Sequence, residues 1–110
     1  MDFTPVVYRS YLTGTTDCHQ TARAVILTSY VQHIVEGAEP VLAHPCRPLL
    51  SVLPAAWDEG LLLEGHPANH VTISRRSGAQ WFVAGICARR PRNATVDLAF
   101  MGQGDYVARL

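Results

Sequence analysis

The sequence contains no lysine and little charge of either sign. All nine basic side chains are arginines, nine acidic side chains balance them, and charged residues make up only 16% of the chain. Soluble domains average about a quarter charged residues, so part of this surface is expected to be covered by other protein. A net charge of zero also argues against a nucleic-acid-binding protein, which carries a basic patch or stripe.

Long apolar runs and paired cysteines are also absent. No apolar stretch reaches the roughly 18 residues that a transmembrane helix needs, so no membrane association is predicted. The three cysteines, Cys18, Cys46 and Cys87, are scattered singly and give neither a disulfide framework nor zinc-ligand spacing. The first residues lack a basic segment followed by an apolar one, so no signal peptide is indicated in this chain.

A long helix is predicted near the N-terminus. Thr16 or Asp17 can cap it, apolar residues recur at three- and four-residue steps as far as Ile34, and Gly37 is typical of a helix end. Further apolar residues widen this face beyond one stripe, so the helix should be buried on more than one side. Nothing later in the chain is large enough to cover both sides, which favours a fragment of a larger fold.

The apolar pattern changes to period two from residue 70 onward. The predicted strands are 70–76, 80–88, 94–100 and 106–110. The segment before them is rich in proline and is interpreted as an irregular linker with a helical turn or two at 49–53. One helix followed by a run of antiparallel strands indicates an α+β chain with two structural units.

Five collinear blocks of the sequence resemble the C-terminal end of glycoside hydrolase family 97. The blocks are M-D-F-T-P at 1–5, the segment 15–33 with H-Q at 19–20, L-P-A-A-W-D-E at 53–59, the pair V-T-I-S-R-R at 71–76 and W-F-V-A-G-I at 81–86, and V-D-L-A-F-M-G at 96–102. They are similar, in order, to the family's segment near the last barrel strand, the barrel helix after it, a linker, and strands of the C-terminal domain. Tyr30 departs from the family, which usually has proline there.

The resemblance implies an α+β fragment with one long N-terminal helix, the end of a (β/α)8 barrel, followed by a small antiparallel β-sandwich. Residues 1–37 would be the last strand, loop and helix of a truncated catalytic barrel. Residues 38–69 would be a linker. Residues 70–110 would be a C-terminal β-sandwich domain, incomplete at its C-terminus, of the kind that the family uses for oligomerisation.

The resemblance further implies an α-glucosidase or α-galactosidase type of enzyme that hydrolyses O-glycosyl bonds of oligosaccharides. Glycoside hydrolysis needs two carboxyl groups across the scissile bond, and the family's catalytic and Ca²⁺-binding carboxylates lie upstream of the M-D-F-T-P block. This chain would therefore hold no catalytic residue and no metal ligand, and would be inactive alone. Its partners would be the catalytic barrel and further copies of the chain. Enzymes of the family are often exported or periplasmic.

Asp2 is the one acid that the resemblance brings near the catalytic machinery. It would lie at the end of the last barrel strand, where the active sites of such barrels are found. It could line the sugar pocket, support neighbouring residues, or only cap the following loop. Asp58 and Glu59 are not expected to form a working pair, because side chains at adjacent positions do not face each other.

Two other classes of protein stay open at this point. One is a free-standing β-sandwich module that binds carbohydrate or protein without enzymatic activity, and the other is an interaction protein with an exposed apolar helix. Trp57 and Trp81 could stack on sugar rings in a binding module. In a hydrolase fragment, Trp57 would attach the linker to the sandwich and Trp81 would fill the core of the sandwich.

Overall fold

The computed structural model describes residues 3–8 and 14–110, which form an α+β fold with two separate sheets. The elements are β1 (Phe3–Val6), α1 (Asp17–Ile26), β2 (Gln32–Ile34), α2 (Ala38–Ala43), α3 (Arg47–Leu50), β3 (Glu59–His66), β4 (His70–Ser77), β5 (Gln80–Cys87) and a 3₁₀ helix (Leu98–Met101). In this described part of the chain, no helix is long and apolar enough to cross a membrane.

The first sheet is a parallel pair. Phe3 is the partner of Gln32 and Val6 is the partner of Ile34, so β1 and β2 run in the same direction. Parallel neighbours need a crossover connection, and α1 supplies it. The helix begins where the sequence predicts, because the Thr16 side chain caps it by accepting a hydrogen bond from the His19 N–H at 3.1 Å.

The predicted long helix is wrong beyond Ile26, where α1 ends. Leu27 is already extended, and the segment after it pairs with β1 as β2 instead of continuing the apolar helix face. Two side chains outside the helix donate hydrogen bonds to its last carbonyls: Gln32 donates to the Ala24 carbonyl, and Arg75 donates to the carbonyls of the last two helical residues. The helix therefore ends well before Gly37, the residue that the sequence pattern indicated as its end.

The second sheet is antiparallel and has the order β3-β4-β5. The predicted hairpin of 70–76 and 80–88 is confirmed, with pairing that runs from His70 opposite Cys87 to Ser77 opposite Gln80. Gly78 lies in the turn with φ +58°, a conformation that costs glycine little.

The third strand of this sheet lies inside the segment that the sequence assigned to the linker. β3 pairs with β4 from Glu59 opposite Arg76 to His66 opposite His70, with a register shift between Leu62 and Glu64. A bulge of this kind interrupts the period of two. Leu61, Leu62 and Leu63 therefore do not alternate with polar residues, and the sequence pattern did not predict a strand there.

The core lies between α1 and one face of the antiparallel sheet. Val25 and Ile26 of the helix are buried against Phe82 and Ala84 of β5. Trp57 meets Phe82 edge-on, with ring centroids 5.2 Å apart. This contact joins Trp57, which lies in the segment predicted as a linker, to β5; the sandwich to which it was expected to attach stays a prediction. Each fully buried large apolar side chain contributes about 1.5–3 kcal/mol.

The strands predicted at 94–100 and 106–110 are not formed. Asp97 instead accepts a hydrogen bond from the Ala99 N–H at 2.9 Å and caps the 3₁₀ helix. This local bond competes with an extended conformation. Phe100 of the 3₁₀ helix contacts Trp81 edge-on, with centroids 5.1 Å apart. The antiparallel sheet thus has α1 on one face and an irregular segment on the other.

Candidate interface and the polar clusters around it

The acids that the sequence analysis considered are Asp2, which was placed near the substrate, and the adjacent pair Asp58 and Glu59, which was not. Asp2 lies outside the described residues. Asp58 accepts a hydrogen bond from the Gly78 N–H at 2.7 Å, and Glu59 lies 3.2 Å from the Arg76 guanidinium. Both acids therefore bind groups at the Ser77–Gln80 end of the β4–β5 hairpin.

A polar cluster lies where β1 ends and α1 begins. The Tyr8 ring stacks on His44 with centroids 3.8 Å apart, and His44 Nε2 lies 3.0 Å from Asp17 Oδ2. The Cys46 N–H donates to His44 Nδ1 at 3.1 Å. Because Nδ1 accepts, the proton sits on Nε2 and is donated to Asp17. Both ring nitrogens are therefore occupied, and His44 serves to fix the cluster.

The Tyr8 hydroxyl joins this cluster to α1 by donating a hydrogen bond to Thr21. This hydroxyl lies 2.9 Å from Thr21 Oγ1, and Thr21 itself donates to the Asp17 carbonyl. Burial raises the pKa of Tyr8 above its usual value of 10.0, because the phenolate would be poorly hydrated. The neutral phenol is thus the form that the folded chain holds.

Replacing Tyr8 by phenylalanine is expected to lower the free energy of unfolding by about 1 kcal/mol at neutral pH, since one partly buried hydrogen bond is lost. The pKa of Tyr8 is higher in the folded than in the unfolded chain, so its stabilisation is complete below pH ~10 and is lost as the pH rises through the folded value. Urea unfolding of both proteins should show their difference shrinking above that pH. A constant difference would contradict this account.

The face of the antiparallel sheet that points away from α1 carries a second polar cluster. Glu64 accepts hydrogen bonds from Thr72 at 3.0 Å and from Arg92 at 3.1 Å, which ties β3 and β4 to the segment after β5. These residues line a cavity of about 170 Å³ together with His70 and Cys87. Its single carboxylate is already paired with a guanidinium, so the cavity has no second acid for glycoside hydrolysis.

The histidines do not form a metal site in the described residues. His66 and His70 lie opposite each other at the end of the β3–β4 hairpin, with ring centroids 6.5 Å apart. Across residues 3–8 and 14–110, no three His, Cys, Asp or Glu side chains are arranged to hold a metal ion. Calcium takes about six to eight oxygen ligands. The described residues therefore do not fit the calcium ion that the family resemblance implies for the whole enzyme.

Arg75 links the antiparallel sheet to α1. Arg75 lies directly opposite Gly60 of β3 and Phe82 of β5. Its side chain is therefore on the face of the sheet that packs against α1. A Cβ atom on Gly60 would lie 2.7 Å from Arg75 Nη1, so this glycine leaves the space that the guanidinium occupies. Burial lowers the pKa of Arg75, yet a guanidinium stays protonated at any physiological pH.

Large apolar side chains are exposed over much of the described surface. Within the last half of the chain they are Leu62, Val83, Leu98, Tyr106, Val107 and Leu110, and before it they are Leu27, Tyr30, Val31, Ile34, Val35, Leu42 and Val52. Tyr30 is 79% exposed and Val107 is 91% exposed. The excess apolar surface predicted for the long helix thus lies mainly after α1, because β1 and β5 cover the helix itself.

The described residues thus combine a β–α–β unit with an antiparallel sheet. Among these residues no catalytic carboxylate pair is formed. Residues 56–110 match the family model described as "Glycosyl-hydrolase 97 C-terminal, oligomerisation". The chain belongs to this family. The matched segment contains β3, β4 and β5, so it starts earlier than the sandwich domain that the sequence places at 70–110. The proposed domain boundaries stay a prediction.

Two relatives and one solved structure are similar to this chain. A probable retaining alpha-galactosidase of Streptomyces bingchenggensis is 33% identical over 113 residues, which cover 100% of this chain and 18% of the relative. The retaining alpha-galactosidase of Bacteroides thetaiotaomicron is 28% identical over 94% of this chain and 16% of its own length. The crystal structure of a beta-arabinopyranosidase superposes with a TM-score of 0.62 at 31% identity, over 68% of this chain and 12% of that one.

The chain thus spans less than a fifth of the length of the relatives that it matches.

Sequence reasoning did not identify Arg75, His44 or Glu64 as contact residues. The one signal available for Arg75 was its position: it is a charged residue two positions after Ile73, on the apolar face of the predicted strand 70–76. His44 and Glu64 carried no comparable signal, because their partners are distant in sequence.

Proposed function

We propose that this chain is the C-terminal portion of an α-galactosidase type of glycoside hydrolase and supplies packing and oligomerisation surface to it. The family match over residues 56–110 coincides with the antiparallel sheet and with exposed apolar side chains, and this coincidence carries the proposal. The hydrolytic carboxylates, the calcium ligands and the sugar-binding site would belong to the rest of the enzyme. The chain would have no glycosidase activity by itself.

The fold supports a position at the end of a barrel. Parallel strands joined through a helix, as in β1–α1–β2, are the repeating unit of (β/α)8 enzymes. In such enzymes the loops that follow the strands build the active site, which is the side on which the Tyr8 and His44 cluster lies. We infer that this cluster supports the substrate-binding end, and that Asp2 lies near it.

The distribution of exposed apolar residues supports two contact surfaces. Tyr30, Val31 and Val35 lie beside the parallel pair, where neighbouring barrel elements would cover them. Val83 and Leu98 lie on the face of the antiparallel sheet that points away from α1, where a second sheet of a β-sandwich or another copy of the enzyme would cover them. Burial of both surfaces would explain the low charge of the chain.

A free-standing sugar-binding module is the weaker alternative. Sugar binding of this kind would need an aromatic face that is free to stack on a ring. Trp57 packs against Phe82, and Trp81 packs against Phe100 with the Arg76 guanidinium 5.8 Å from its ring. Both tryptophans are therefore engaged within the chain.

The test is a chimera. In the Streptomyces bingchenggensis relative, the segment aligned with this chain is replaced by this chain, and hydrolysis of a nitrophenyl α-galactoside and the size in solution are measured. We expect the relative's oligomeric state and a rate within about tenfold of the unmodified enzyme, a cost of ~1.4 kcal/mol in activation free energy. The relative without the segment should lose both properties.

Two results would contradict the proposal. The first is turnover of the galactoside by this chain alone, which would place catalytic groups within it. The second is a soluble chimera that hydrolyses the galactoside normally but differs in oligomeric state from the unmodified enzyme, which would remove the interface role. Saturable binding of galactosides to this chain alone would favour the binding-module alternative.

A further inference from the structure

The C-terminal end of α1 is formed by side chains that lie elsewhere in the chain. The last four carbonyls of a helix have no partner within it, and here each one has a partner. Leu27 N–H donates to Arg23 O at 2.9 Å, and Gln32 Nε2 donates to Ala24 O at 3.1 Å. Arg75 satisfies the other two, with Nε 2.7 Å from Val25 O and Nη2 2.9 Å from Ile26 O.

The local sequence contains no glycine or proline stop signal at this point. Beyond the helix end, Ser29 Oγ accepts from the Val31 N–H at 3.2 Å and donates to the Val31 carbonyl at 2.6 Å, a local turn that can form only outside the helix. Residues 17–36 include neither glycine nor proline, and the apolar pattern of α1 continues at three- and four-residue steps through Tyr30 and Ile34. The extended conformation buries little of this segment, since Tyr30 is 79% exposed and Val35 is 50% exposed. The segment 27–35 is thus compatible with two conformations.

The two conformations compete for the same acceptors. If α1 continued, the N–H of Ser29 would donate to Val25 O and the N–H of Tyr30 would donate to Ile26 O. Those are the two carbonyls to which the Arg75 guanidinium donates. A positive charge at a helix C-terminus also stabilises an end at that position, because the helix dipole is negative there.

We propose that Arg75 determines where α1 ends. With its guanidinium on the carbonyls of Val25 and Ile26, residues 27–35 leave the helix, and Gln32–Ile34 within them form β2 beside β1. Without it, the helix continues into these residues and the parallel pair is lost. Because Arg75 belongs to β4, the antiparallel sheet controls the conformation of the β–α–β unit, and the two units are coupled through one side chain.

The test compares Arg75→Met with Arg76→Met by nuclear magnetic resonance of the whole chain. Arg76 is the matched control, since it is the neighbouring residue on the opposite face and pairs with Asp58 and Glu59. In Arg75→Met we expect the Cα shifts of residues 27–35, which include strand values at Gln32–Ile34, to move to helical values, with loss of contacts between β1 and β2. In Arg76→Met these shifts should not change.

The proposal is overturned if residues 27–35 keep their unmodified shifts in Arg75→Met, or if Gln32–Ile34 become coil while β4 and β5 stay paired. If Arg75→Met loses the β4–β5 hairpin as well, Arg75→Lys decides the question. Lysine keeps the charge but cannot bridge two carbonyls in a planar fork. Helical shifts at 27–35 in this variant support the proposal, and unchanged strand shifts overturn it.

Discussion

Replacing Phe82 by alanine is expected to lower the free energy of unfolding by about 3–5 kcal/mol. Phe82 is only 8% exposed, and it packs between Trp57 and the buried residues Val25 and Ile26 of α1. The substitution removes the transfer free energy of the ring and leaves a cavity that the rigid sheet cannot fill. The whole stability of a small domain is about 5–15 kcal/mol, so this variant should unfold at much lower urea concentration.

The control for this prediction is Val83→Ala. Val83 follows Phe82 on the same strand but points to the other face and is 45% exposed. Its truncation should change the free energy of unfolding by about 0.5 kcal/mol or less. Both variants are measured by urea unfolding at one chain concentration, because association would shift the apparent stability. Similar losses in the two variants would show that α1 does not pack on this face.

Replacing Arg75 by methionine is the second large effect, a loss of about 2–4 kcal/mol in the free energy of unfolding. Two hydrogen bonds from a charged donor disappear, and the carbonyls of Val25 and Ile26 lose their partners. Methionine matches the length of the arginine stem and keeps its packing, so the loss reports mainly on the polar contact. If the helix continues, the two carbonyls gain new backbone partners. The decrease in the free energy of unfolding is therefore smaller than the loss of two unreplaced hydrogen bonds would give.

Arg76→Met is again the matched variant. The Arg76 ion pairs with Asp58 and Glu59 are largely exposed, and pairs of this kind contribute about 0–1 kcal/mol. The difference between the two variants in urea unfolding isolates the contact between sheet and helix. Equal losses would mean that Arg75 contributes no more than a surface charge.

The parts of the fold that the sequence predicted depend on local signals. Thr16 marks the start of α1 because a hydroxyl at that position caps the first turn. The β4–β5 hairpin follows from alternation on both sides of Gly78, whose positive φ suits the turn. The family resemblance was likewise carried by contiguous blocks, and the match of residues 56–110 confirmed it.

The errors arise where the apolar pattern of the sequence does not show which hydrogen bonds the backbone makes, and each has its own cause. The helix was predicted to continue past Ile26 because the apolar pattern continues. In the structure, Arg75, which is 49 residues away in sequence, donates to the Ile26 carbonyl at the helix end. β3 was placed in the linker because a bulge interrupts its alternation. Residues 94–100 were predicted as a strand because apolar and polar residues alternate there. No strand pairs with this segment in the structure, and the Asp97 side chain caps the 3₁₀ helix instead.

The sequence by itself determined the family, the α+β class, the start of the helix and the central hairpin, because each depends on neighbours within a few residues. The tertiary structure alone decided where the helix ends, which segment completes the sheet, and how His44 and Glu64 are held. These depend on hydrogen bonds between residues far apart in the chain, and such bonds form only when the fold brings donor and acceptor within about 3 Å.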